Sequence, residues 1–225
     1  VRKLNLTAGW ISQLSLEFSV FLAFYLRDNS SMSSSSNQIR HIFLTGQPGV
    51  GKTTLVRKVT DSLKAKGVQP HGFYTEEIRQ GRSRIGFDVV TLDGTRGALA
   101  RIEEDSAGGG RQYSVGRYNV KLLSFEQIAL PTLKLGPGKT FFVIDEIGKM
   151  ELFSASFKNA TKSILKDKNS IVFATIPVLG RKPIPFIEEI RNRKDVQLHE
   201  VTEHNRDTLH DTLVTSLEGL LQSQG

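Results

Sequence analysis

The residues Gly46-Gln47-Pro48-Gly49-Val50-Gly51-Lys52-Thr53 set glycines, a lysine and a hydroxyl at the spacing G-x-x-x-x-G-K-[ST]. Glycines let the backbone bend until successive N–H groups turn inward, which makes a concave nest for a phosphate. Lys52 would bring a mobile charge to the outer phosphates of a polyphosphate chain, and Thr53 a hydroxyl for Mg2+. A helix beginning near Gly51 would add the positive end of its dipole. The bland alternative is a structural glycine turn; a β-rich run before the motif and a helical pattern after it weigh against that.

A second constellation lies downstream. Phe141-Phe142-Val143-Ile144-Asp145-Glu146 reads as a buried strand ending in two acids. Asp145 at the carboxyl edge of a sheet, beside the glycine loop, could hold Mg2+ through water. A carboxylate one residue further, Glu146, could reach a water in line with the terminal phosphate as base or orienter. The bland reading of Glu146 is a solvated acid near a helix start. Thr175 ends the next apolar run, where its hydroxyl could sense the terminal phosphate or bond to its own turn. Arg181-Lys182, between Gly180 and Pro183, reads as an internal arginine finger or as solvated loop charge.

No residues read a particular base. Asn192-Arg193-Lys194-Asp195 has the outline of a guanine-reading N-K-x-D, but Arg stands at the Lys position and the run precedes a strand. The loop Val201-Thr202-Glu203-His204-Asn205-Arg206 follows the last strand and would cradle a base with few contacts, which favours a base-tolerant site. The five histidines show no metal-ligand spacing.

These residues need a scaffold, and the periodicity supplies one. Ile39–Thr45 is β-rich, and Leu55, Val56, Val59 and Leu63 give helical spacing over Lys52–Lys66, closed by Gly67. Gly72–Arg79, Arg84–Leu92 and Gly97–Ile102 read as strands joined by turns at Gly81 and at Asp93-Gly94. Residues Glu103 to Gly116 read as a Gly-rich loop. Ser124 with Gln127 has the form of a capping box for a helix that Pro131 must end or kink. Strands are expected at Thr140–Asp145, Ile171–Thr175 and Asp195–Val201, and helices over Leu152–Leu165 and Ile184–Asn192. Thr202 is expected to cap a last helix with Leu209, Leu213, Leu217 and Leu220 as its stripe. Strands alternating with helices predict an α/β fold with a mostly parallel sheet covered on both faces, and the hairpins add antiparallel strands at one edge.

Composition narrows the function classes. The 225 residues carry 30 Lys+Arg against 23 Asp+Glu, a net charge of +7 that suits polyphosphate ligands. The basic residues are spread along the chain, which argues against a dedicated nucleic-acid face. The absence of cysteine excludes disulfides and thiolate zinc sites and fits a reducing, cytoplasmic setting. Residues 1–38 read as an extension outside the domain. Trp10–Leu26 is apolar but short for a membrane span and interrupted by Gln13 and Glu17, and the serines Ser33–Ser36 follow. Met32 is read as the true start, with a mitochondrial-type presequence as the rival. A single domain over residues 39–225, acting as a monomer, is expected.

Several stretches together carry a family. GQPGVGKTTL, GFYTEEIRQG, RIGFDVVTLDGTRG, SFEQIALP, VIDEIGKMELFS, ATIPV and EEIRNRKDV occur in order between Ile39 and Leu217, and the chain resembles the cancer-related nucleoside-triphosphatase family, which has thermophile members. The resemblance implies a Rossmann-like P-loop fold and slow, base-tolerant, Mg2+-dependent hydrolysis of ATP, GTP and other nucleoside triphosphates. It places two nucleotide-binding stretches on Gly46–Thr53 and Phe141–Gly148, which adds Ile147 and Gly148 to Asp145 and Glu146. Two alternatives stay open: a phosphotransferase using Glu76, Glu77 and Arg79 as acceptor contacts, and a nucleotide-dependent switch.

Overall fold

The computed structural model describes residues 38–102 and 113–223, and the described residues from Ile39 onward form one compact unit. The N-terminal extension to residue 37 and the core of the Gly-rich loop, residues 103–112, lie outside the described residues. In chain order the elements are β1 (His41–Thr45), α1 (Lys52–Ala65), β2 (Pro70–Gln80), β3 (Ser83–Thr91), β4 (Arg96–Arg101), β5 (Ser114–Val115), β6 (Tyr118–Val120), α2 (Leu122–Ala129), β7 (Thr140–Asp145), α3 (Ala155–Lys166), β8 (Ser170–Thr175), α4 (Pro185–Arg191), β9 (Val196–Glu200) and α5 (Leu209–Gln222). One nine-stranded sheet runs β5-β6-β4-β3-β2-β7-β8-β1-β9. From β2 to β9 neighbours are parallel, and from β2 to β5 they are antiparallel.

This order follows from hydrophobic patterning. The runs Phe141–Ile144 and Ile171–Ala174 are apolar at every position because both faces of those strands are covered. Phe141, Val143, Ile171 and Phe173 pack with Leu55, Val56, Val59 and Leu63 of α1 and Leu213 and Leu217 of α5. Phe142, Ile144, Val172 and Ala174 face the opposite way, onto Phe125 of α2, Phe157 of α3 and Phe186 and Ile190 of α4. Asp145 and Thr175 continue the odd-numbered series, so both side chains emerge on the α1 side.

Three expected boundaries shift, each for a tertiary reason. Helix α2 begins at Leu122 with no side-chain cap. Ser124 lies inside its first turn, placed so that a Cβ on Gly97 of β4 would meet its Oγ at 2.9 Å; packing on the sheet overrides the capping box. The expected helix over Leu152–Leu165 divides into a 3-10 turn, Glu151–Phe153, and α3. Ser154 makes the break, because its side chain caps α3 by accepting from Phe157 N at 2.9 Å. Thr202 caps no helix: its N–H donates to Asn205 Oδ1 at 2.8 Å, Asn205 Nδ2 donates back to Glu200 O at 2.9 Å, and α5 starts only at Leu209. The end of the expected Gly-rich loop also forms strand β5, paired with β6.

Candidate active site

Strand β1 delivers the glycine loop to the carboxyl end of the sheet. Gly46, at φ 152, stands where a Cβ would lie 2.4 Å from Val201 O, so only glycine permits this approach between the loop and the chain after β9. Val50 is buried and anchors the loop in the core under α1, while Gln47, Pro48 and Gly49 are exposed. Gly51 takes a left-handed conformation as the first cap of α1, so the free N–H groups of that helix point into the loop. Lys52 Nζ is held across the mouth by Gly46 O at 2.8 Å and Gln47 O at 3.2 Å. Thr53 follows in the first turn of α1.

The acids arrive from β7, one strand beyond β8. Asp145 is buried, and its Oδ1 accepts from Thr175 Oγ1 at 2.5 Å. Thr175 thus bonds to the acid and not to its own turn. Asp145 Oδ2 is buried with no hydrogen-bond partner. Burial raises the Asp145 carboxyl above its ordinary range, against the pull of the Thr175 and Thr53 hydroxyls and the charge of Lys52. A hard cation is the partner that a bare buried carboxylate oxygen beside a hydroxyl and a phosphate loop fits. Thr53 and Asp145 would hold it, with phosphate oxygens and water completing the shell. No group of three or more His, Cys, Asp or Glu capable of holding a metal occurs among the described residues.

Glu146 follows at the mouth of the site. Burial, with Asp145 beside it, pushes its carboxyl up to about 6, while Lys52 acts in the opposite sense. Ile147 N donates to Thr175 O at 2.9 Å, and its side chain is buried in the core; this pins the turn that carries Glu146. Gly148 N donates to Glu151 Oε2 at 3.1 Å. The lysine, the hydroxyl and both acids therefore gather at one end of the sheet, although almost a hundred residues separate the two stretches.

Other candidates fall elsewhere. Arg181 and Lys182 are exposed. Arg193 and Asp195 lie at the opposite end of the sheet, where Asp195 binds Arg40 and Arg193 at 2.6 and 2.8 Å, so the N-R-K-D run stands far from any base. Glu76 is taken up by Arg57 and Arg96, each at 2.5 Å, and Glu77 by Arg79 and Arg84 at 2.6 and 2.5 Å. Two residues at the site had no sequence signal strong enough to single them out. Arg191 Nη2 donates to Thr45 Oγ1 at 2.9 Å and to Pro177 O at 2.6 Å, tying the root of the glycine loop to the chain after β8. Glu151 is buried; an acid between Met150 and Leu152 in an otherwise apolar run was its only mark.

Comparison with known proteins agrees with this geometry. A family model described as NTPase matches residues 41–214. The chain belongs to the nucleoside-triphosphatase family. It is 54% identical over 184 residues to a human protein named cancer-related nucleoside-triphosphatase, covering 80% of this chain and 97% of that one. A nucleoside-triphosphatase of Thermotoga maritima is 42% identical over 178 residues, covering 79% and 95%. The solution structure of a human cancer-related nucleoside triphosphatase superposes with a TM-score of 0.70 at 53% identity, covering 83% of this chain and 99% of that chain. The protein is a P-loop nucleoside-triphosphatase, an enzyme class that works with a divalent metal. Among the described residues no helix is long and apolar enough to cross a membrane.

Proposed function

We propose that the protein hydrolyses nucleoside 5′-triphosphates to diphosphate and phosphate with Mg2+, slowly and with little regard to the base. One observation carries the reading: Lys52, bound across the glycine loop, stands at the same end of the sheet as the buried Asp145, which Thr175 holds with one oxygen left bare, and Glu146 follows directly after it. The loop N–H groups and Lys52 take the β- and γ-phosphates. Thr53 and Asp145 would hold the Mg2+, which would offset the negative charge that develops on the phosphates. Glu146, mostly ionised near neutral pH, orients the attacking water and accepts its proton.

The nucleoside end falls on the side away from β7. A cleft of about 680 Å3 opens beside the loop and is lined by Gly51, Thr54, Lys58, Asp61, Arg206 and His210 among others. Arg206 reaches back over the loop to Val50 O at 3.4 Å and offers a flat guanidinium on which any base can stack. Glu76 is paired with Arg57 and Arg96, and Glu77 with Arg79 and Arg84, which favours water over a phosphotransferase acceptor. Scattered exposed apolar side chains (Leu123, Leu135 and Leu179) support a monomer.

The test is phosphate release with no added acceptor. ATP, GTP, CTP and UTP should give rates within about tenfold of one another, since stacking on a guanidinium discriminates among bases by only about one to two kcal/mol. EDTA should stop the reaction and Mg2+ restore it. Turnover that requires an added hydroxyl acceptor would overturn the hydrolase reading.

A further inference from the structure

The 3-10 turn Glu151–Phe153 opens with an acid only 5% exposed. An ionised carboxylate buried without a cation is costly, and the charged groups acting on Glu151 are Glu146 and Asp145, both acids. Burial and the neighbouring Glu146 push its carboxyl up to about 8, so it keeps its proton at neutral pH. The geometry gives that proton a direction. A Cβ built on Gly148 would lie 2.6 Å from Glu146 Oε1 and 2.8 Å from Glu151 Oε2. The two carboxyl groups thus converge on the space beside the Gly148 α-carbon, within reach of one bridging water.

The turn holds Glu151 rigidly in that place. Gly148 N donates to its Oε2, Leu152 N donates to Gly148 O at 3.1 Å, and Ser154 N donates to Glu151 O at 3.0 Å. Behind it Ser154 Oγ donates to Glu126 Oε1 at 2.5 Å, which locks the start of α3 to α2. No step of the proposed hydrolysis uses this acid.

We propose that Glu151 is a positioning residue for hydrolysis: as a neutral carboxylic acid held by the Gly148 N–H, it donates its proton toward Glu146 and fixes the carboxylate that orients the attacking water. This rests on the water-orienting role of Glu146. A side chain at Gly148 would have to displace the two carboxyl groups.

The experiment compares Glu151→Leu, Glu151→Gln, Glu146→Gln and the double variant Glu146→Gln/Glu151→Leu. Multiple-turnover kinetics with Mg2+–ATP and thermal melting are measured for each. Glu151→Leu should lower kcat about tenfold or more while KM stays within about twofold and the melting temperature does not fall. Glu151→Gln, whose amide also donates, should recover most of that loss. In the Glu146→Gln background Glu151→Leu should cause no further drop, because the group it positions is gone. If Glu151→Leu does not fold, the pH profile of Glu151→Gln decides. Wild-type kcat should decline above about pH 8 as Glu151 ionises beside Glu146, and the glutamine variant should lack that decline. Unchanged kcat in Glu151→Leu, additive losses in the double variant, or identical pH profiles would overturn the proposal. A wild-type-like rate in Glu146→Gln would instead remove the water-orienting role itself, which separates the two failures.

Discussion

Asp145 and Glu146 are neighbours with different partners, and the difference assigns their work. Lys52 acts on both, but Asp145 is bound by Thr175 and leaves one buried oxygen bare, whereas Glu146 has no hydroxyl partner among the described residues. Glu146→Gln should bind Mg2+–nucleotide nearly as well as the parent but lose about two orders of magnitude in single-turnover rate, the range typical of a lost general base. Asp145→Asn should weaken Mg2+-dependent binding as well as chemistry, and affinities measured with and without Mg2+ will separate the two. Lys52→Ala should lose both, since the charge meeting the β- and γ-phosphates is gone. Thr175→Val tests the support beneath Asp145. It removes a buried donor while keeping the shape, and should cost about 1–3 kcal/mol of stability. Added Mg2+–nucleotide should narrow that deficit less than it stabilises the parent; an unchanged melting curve would show that the Thr175 bond carries no weight.

Helices α2 and α3 hold the acid turn from below through aromatic packing. Phe73 of β2, Phe125 of α2 and Phe157 of α3 stand 5.3–5.9 Å apart between ring centroids, tilted or edge-on to one another. Every member is fully buried. Phe157→Ala should cost about 3–5 kcal/mol, the usual range for a core Phe truncation. At roughly 2–4 °C per kcal/mol for a domain of this size, the melting temperature should fall by about 10 °C. Because Ser154 caps α3 three residues earlier, the turn carrying Glu151 should loosen too. Calorimetry beside kcat will show whether activity falls at temperatures where the variant is still folded; loss of activity only on unfolding would mean that α3 supports the site no more than any other helix.

At the far end of the sheet sits a group that makes the whole fold pH-sensitive. His41 is fully buried, accepts from Val172 N through Nδ1 at 3.2 Å, and its Nε2 makes no hydrogen bond but lies 3.6 Å from Asp195 Oδ2. Burial lowers its pKa to about 4, more than Asp195 raises it. The unfolded chain protonates this histidine below about pH 6.5 while the folded chain refuses the proton until about 4. Protons therefore favour unfolding across that window: stability is full above about 6.5 and falls as pH drops toward 4, by an amount on the order of 3 kcal/mol. The melting temperature should decline between pH 7 and pH 4.5, and His41→Gln should flatten that decline; equal slopes would assign acid lability to other groups. A chain of residues 39–225 should also keep wild-type melting and phosphate release, since the family match spans residues 41–214. A large fall in either would mean that residues 1–38 contribute.

The phosphate loop and the acid strand were legible in the sequence because both are local. A glycine, lysine and threonine at fixed spacing, or an apolar run ending in Asp145-Glu146, state their chemistry without reference to the rest of the chain, and covered faces explain why whole runs are apolar. The α/β alternation and antiparallel edge were legible for the same reason, since helical and strand periods are short-range. What the sequence left undecided depends on contacts between distant segments. Thr175 bonds to Asp145 only because β8 lies beside β7, and Arg191 meets Thr45 only because α4 returns beneath the glycine loop. Ser124 and Thr202 had the form of helix caps, and sheet packing on Gly97 and the side chain of Asn205 displaced both helix starts. Glu151 is the sharpest case: an acid is ordinarily expected in solvent, and only burial beside Glu146 and Gly148 gives it a proton and a direction.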